Sequence, residues 1–192
     1  MGKRGRSNMK SNNKKILLIS TCKEKLHDLE FVKPIEDILK KNNLQFISKN
    51  YKKLIKKDLE NCNKIIISGT SLIDNEFLED LKKFEFLKEK NKPVLGICAG
   101  FQIIGSIFDG SLEPHQEIGF YFEKFKKPFL GLIGNQEVYH LHNTSVLFSK
   151  SFERFTHSKI IQAVKHNEKE IYGVLFHPEV RQKELILNFV KL

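Results

Sequence analysis

No apolar run in this chain approaches the roughly 18 residues that a membrane-spanning helix requires, and its start lacks the apolar core of a signal peptide. The expectation is a soluble protein that is not exported and has no membrane partner. Cysteine is scarce: Cys22, Cys62 and Cys98 are odd in number and widely spaced, which argues against a disulfide framework and against a CxxC metal clip. A reducing, cytoplasmic compartment fits that usage. The chain also lacks a phosphate-binding G-x-x-x-x-G-K-[ST] loop, an internal repeat, and any linker rich in Pro, Gly or Ser. A length of 192 residues therefore suggests one main domain, large enough to bury roughly 70% of the surface that its unfolded chain exposes.

Charge of one sign is missing only at the start. The net charge is +10, yet residues 1–15 hold six basic residues and no Asp or Glu, leaving 27 basic against 23 acidic residues in the remainder. Residues 1–14 read as a basic tail, too polar to order itself, preceding a domain at 15–192. Its charges are not interleaved with aromatic residues that would stack on bases, so a solvated tail is favoured over a nucleic-acid arm.

What is present is alternation. KILLIS (15–20), LQFIS (44–48), KIIIS (64–68) and PVLGI (93–97) are strand-length apolar runs of the kind buried on both faces of a parallel sheet. Between them, Pro34–Asn42 and Asp74–Lys90 carry helical spacing, the latter at Phe77, Leu78, Leu81, Phe84 and Leu87. Beyond Gly110 the runs IGFYF, FLGLI, EVYHLH, KIIQAV and IYGVLF predict mostly β-structure, closed by a helix over 181–191. The expected fold is α/β: an open, mostly parallel twisted sheet with helices on both faces and additional antiparallel strands.

Within this pattern Gly96-Ile97-Cys98-Ala99-Gly100 joins a strand to a helix expected at Phe101–Phe108. A nucleophile on such a turn sits on strained backbone, exposed above the carboxyl edge of the sheet, with glycines that admit neighbouring backbone. The helix N-terminus favours thiolate, and backbone amides point at a developing oxyanion. Free cysteine is more often a small buried hydrophobe, so the turn alone does not decide. A second constellation does: His177-Pro178-Glu179 follows another strand-like run, and supplies a base for the thiol together with a carboxylate to orient that base. His27, His115, His157 and His166 read as surface or core filler, and no metal-ligand pattern is found.

GICAGFQ and GVLFHPEV, in that order, resemble the two motifs of the class I glutamine amidotransferases over about Ile16 to Leu192. The resemblance implies a flavodoxin-like fold and hydrolysis of the glutamine side-chain amide through a cysteinyl thioester, without a cofactor. It makes Cys98 the nucleophile, His177 the general base and Glu179 its orienter. It further implies oxyanion donors at Ala99 and in the loop carrying Gly69 and Thr70, and contacts to L-glutamine from Gln102, His142 and Asn143. Ammonia would pass to a separate synthase subunit, for which the segment 109–135 is the candidate facing surface. A γ-glutamyl peptidase or hydrolase with the same triad is the alternative. Thr70 departs from the family's glycine-rich loop: if that position requires positive φ, a β-branched residue leaves the oxyanion hole half built until a partner completes it.

Overall fold

A computed structural model describes residues 15–192. The expected basic tail, 1–14, lies outside them. Strands β1 (Ile16–Ser20), β2 (Phe46–Asn50), β3 (Lys64–Ile67) and β4 (Val94–Ile97) alternate with helices α1 (Asp28–Phe31), α2 (Lys33–Lys41), α3 (Lys56–Glu60), α4 (Glu76–Glu79) and α5 (Phe86–Glu89). Helix α6 (Ala99–Ile107) then leads into strands β5 (Ser111–Phe129), β6 (Leu132–Leu147), β7 (Phe152–Arg154), β8 (Ala163–His166) and β9 (Ile171–Val174), and the last element is α7 (Glu184–Lys191).

The main sheet has the order β2-β1-β3-β4-β9-β8-β7. Its β2 to β9 portion is parallel, and β8 and β7 are added antiparallel. Because side chains alternate across a strand, β1 feeds both faces. Ile16 and Leu18 join Ile35, Leu39 and Phe189 on the α2 and α7 side, whereas Leu17 and Ile19 join Phe84, Phe101 and Ile104 on the α5 and α6 side. The expected fold class is the observed one. β5 and β6 form a separate long antiparallel hairpin.

Two expected elements differ. The helix expected over Asp74–Lys90 is broken into α4, a 3₁₀ turn at Leu81–Phe84, and α5. Phe77, Phe84, Phe86 and Leu87 are all buried. A continuous helix would point Phe84 and Phe86 about 200° apart, and the tighter turn rewinds the chain so that both face the core. FLGLI is not a strand but the β5–β6 reversal, with Leu130 at φ 46° and Gly131 at φ 90°. The positive φ favours glycine at 131, where a Cβ would also meet the movable amide end of Asn188 at 2.2 Å.

Candidate active site

The carboxyl ends of β3, β4 and β9 meet at one point. Cys98 is the residue immediately before α6 and adopts φ 48°, ψ −99°, a conformation costly for a residue with a Cβ. Its flanking glycines permit the turn: a Cβ on Gly96 would sit 2.5 Å from the Gly100 carbonyl, and one on Gly100 would sit 2.5 Å from the Ile67 carbonyl. The Cys98 N–H donates to the Val174 carbonyl at 2.9 Å, so β9 is locked beside the turn. Three residues past the end of β9 stands His177, whose own N–H donates to Tyr139 O at 2.8 Å.

His177 Nδ1 lies 2.7 Å from Glu179 Oε1, and both side chains are almost wholly buried. The Phe31 ring, 5.6 Å away between centroids, covers one side of the imidazole. Cys98 and His177 meet across Gly69: the position its Cβ would take is 2.6 Å from His177 Cε1 and 3.3 Å from Cys98 Cβ. Nε2 of the ring has no hydrogen-bond partner among the described residues. Burial alone would pull the imidazole pKa down, but the Glu179 carboxylate and the Cys98 sulfur outweigh it and hold the pKa well above its ordinary value.

The expectation of an exposed sulfur is corrected. Cys98 is 4% exposed, because β6 lies over the turn and the thiol approaches the Leu141 carbonyl at 3.5 Å. The thiol borders a narrow cleft lined by Thr70, Cys98, Ala99, Gln102, His142 and Asn143, among others. All the expected substrate-contact residues therefore border one opening, although they are not equally free. Gln102 donates through Nε2 to Thr144 O at 3.1 Å, and Asn143 donates through Nδ2 to Leu72 O at 3.1 Å. His142 has both ring nitrogens engaged, Nδ1 with His115 O at 3.2 Å and Nε2 with Glu117 at 3.0 Å.

The loop after β3 also departs from expectation. Thr70 is not among the described residues with positive φ, so the conflict between a β-branched side chain and a left-handed backbone does not arise. Its hydroxyl donates to Asp74 Oδ2 at 2.8 Å. Thr21 Oγ1 ties the loop to β1 by donating to the Ser68 and Gly69 carbonyls, each at 3.1 Å. Ala99, the first residue of α6, has an N–H with no intrahelical acceptor. Sequence reasoning missed Asp74, which also receives the Lys23 N–H and the His27 ring, at 3.0 and 2.8 Å. His27 is thus a partner in the loop's anchoring rather than filler.

The parallel sheet thus ends in a cysteine elbow, with a carboxylate-bound histidine arriving from the neighbouring strand. The family model for class-I glutamine amidotransferases matches residues 25–191, and the chain belongs to that family. It is 35% identical over 140 residues to the glutamine-hydrolysing GMP synthase of Spiroplasma kunkelii, covering 66% of this chain and 27% of that protein. With a glutamine-hydrolysing GMP synthase subunit of Methanosphaera stadtmanae it shares 34% identity over 120 residues, 56% of this chain and 64% of that relative. The matches thus span about a quarter and just under two thirds of those two relatives. In fold it is similar to a putative GMP synthase subunit from Thermoplasma acidophilum, with TM-score 0.81, 22% identity, and 93% and 92% of the two chains covered. A glutamine amidotransferase from Thermotoga maritima gives TM-score 0.71 at 20% identity, covering 93% of this chain and 81% of that one.

Proposed function

We propose that the protein hydrolyses the side-chain amide of L-glutamine and delivers the ammonia to a separate synthase subunit. The observation that carries this reading is the strained Cys98 before α6, packed across Gly69 from a histidine held by Glu179. In this mechanism the Cys98 thiolate attacks the amide carbon, and the oxyanion is held by the Ala99 N–H together with an N–H from Gly69 or Thr70. The imidazolium of His177 protonates the departing nitrogen as the tetrahedral species collapses to a γ-glutamyl thioester and ammonia. Water then attacks the thioester, His177 takes its proton, and glutamate leaves with the thiolate restored. Glu179 holds the ring by Nδ1 throughout, with Nε2 facing the chemistry.

Relatives named as glutamine-hydrolysing GMP synthase subunits favour a synthase of that kind as acceptor. The hairpin segment within 109–135 that exposes Ile118, Phe120 and Phe122 is the candidate surface for docking it. Three free cysteines agree with a cytoplasmic setting.

Labelling tests the reading. A glutamine-like diazo ketone is expected to modify Cys98 and to leave Cys22 and Cys62 untouched, Cys22 being buried with its thiol pushed up to about 11. Loss of the label in Cys98→Ser, and release of glutamate from glutamine but not from γ-glutamyl dipeptides, complete the expected result. Label on another residue, or faster turnover of the dipeptides, would overturn it.

A further inference from the structure

The β5–β6 hairpin carries a second polar cluster. Glu117 on β5 stands opposite His142 on β6, and His140 lies two residues before His142 on the same face of its strand. Glu117 Oε2 is 3.0 Å from His140 Nδ1 and 3.0 Å from His142 Nε2, and the two nitrogens are 3.3 Å apart. One ligand-type atom from each residue thus makes a nearly equilateral triangle, with both imidazoles almost completely buried. A tetrahedral zinc ion bound at about 2.0–2.1 Å has ligand-to-ligand edges of about 3.3–3.4 Å, close to this triangle.

Hydrogen bonding alone leaves the cluster in conflict. His142 Nδ1 faces the His115 carbonyl at 3.2 Å, and a carbonyl only accepts, so this nitrogen holds the proton. In a neutral imidazole Nε2 then presents a lone pair to a carboxylate oxygen, placing two acceptors in contact. That oxygen already accepts from Gln162 Nε2 at 2.6 Å. His140 Nε2, buried, has no hydrogen-bond partner among the described residues, and its nearest acid, Glu123, lies 3.8 Å away with one oxygen also unpartnered. The alternative relief, a doubly protonated imidazolium at a fully enclosed position, carries its own desolvation cost.

We propose that Glu117, His140 and His142 bind a first-row divalent cation of the zinc type, which braces β5 against β6 behind the wall of the cleft. Two imidazoles and one carboxylate suit zinc, cobalt or nickel rather than magnesium or calcium. The surrounding groups take the positions of outer-sphere partners: the His115 carbonyl fixes the His142 tautomer, and Gln162 orients the Glu117 carboxylate. The brace would act on the catalytic side through Leu141, which sits between the two histidines and whose carbonyl meets the Cys98 thiol. The cluster excludes Cys98, His177 and Glu179 and shares only His142 with the residues lining the cleft.

The test uses the full chain, stripped with chelator and re-equilibrated with zinc, and reads metal content, affinity and the absorption of the cobalt(II) form. Expected are one zinc per chain, the same stoichiometry in Cys98→Ser, and affinity at least tenfold weaker in His140→Ala and Glu117→Gln. Cobalt is expected to give ligand-field bands without thiolate-to-metal charge transfer. Glu117→Gln preserves the side-chain shape and carries the test alone should His140→Ala fail to fold by circular dichroism. Binding well below one zinc per chain, unchanged affinity in the Glu117 variant, loss of metal in Cys98→Ser, or a charge-transfer band would each overturn the proposal.

Discussion

Gly69→Ala puts a methyl group where His177 and Cys98 face one another. The new Cβ would lie 2.6 Å from His177 Cε1, about 0.8 Å short of ordinary contact, so either the ring or the loop must yield. The loop is the stiffer of the two. Its carbonyls are held by the Thr21 and Ser68 hydroxyls, and the Ser68 N–H is bonded to Ile19 O at 2.9 Å. Each of those bonds contributes on the order of 1 kcal/mol. The imidazole is fixed chiefly by Glu179, so it is the ring that moves. A displacement of this size at a reacting group lowers the rate on the order of a hundredfold, or about 2.7 kcal/mol in transition-state stabilisation. The rate of Cys98 modification by the diazo ketone measures it without requiring a synthase, and thermal unfolding of the same sample reports the fold. Modification within about threefold of the parent rate, in a normally folded variant, would refute the steric argument.

Glu179→Gln removes one of the two groups that hold up the His177 pKa and leaves burial opposed only by the Cys98 sulfur, so the limb of the pH–rate profile governed by this ring moves to lower pH. The rate at neutral pH falls about 10²- to 10⁴-fold, and an unshifted profile would contradict the assigned role. Asp109, just past the end of α6 at φ 63°, places both an unfavourable backbone and a negative charge at a helix C-terminus. Asp109→Gly is expected to raise stability by about 1 kcal/mol, or roughly 2–4 °C in Tm by calorimetry, with turnover unchanged.

The doubly covered sheet was legible because β1, β3 and β4 are so uniformly apolar that no other environment suits them. The juxtaposition of Cys98 with His177 and Glu179 was legible for a related reason: the glycine-flanked cysteine and the His-Pro-Glu segment each follow such a strand. The breaks in the helix expected over 74–90 were hidden, since Phe84 and Phe86 reveal their common inward direction only once the core they fill is known. Burial of the Cys98 sulfur was hidden too, because the covering carbonyl belongs to Leu141, far along the chain and without side-chain chemistry to announce it. Glu117 went unread as a partner of His140 and His142 because only the hairpin register brings it beside them.

The pairing of β4 with β9 has a consequence for how this architecture can vary. Gly96 stands beside Gly173 and Ile97 beside Val174, so the two halves of the reactive centre leave the sheet from the end of one ladder. Between those rungs the chain makes a long excursion that returns to the centre at β6, where Tyr139 and Leu141 offer their carbonyls to His177 and Cys98. Insertions, deletions or a different excursion elsewhere in that interval can reshape the rim and the choice of companion protein, provided that the ladder and the stretch of β6 around Tyr139 and Leu141 keep their places.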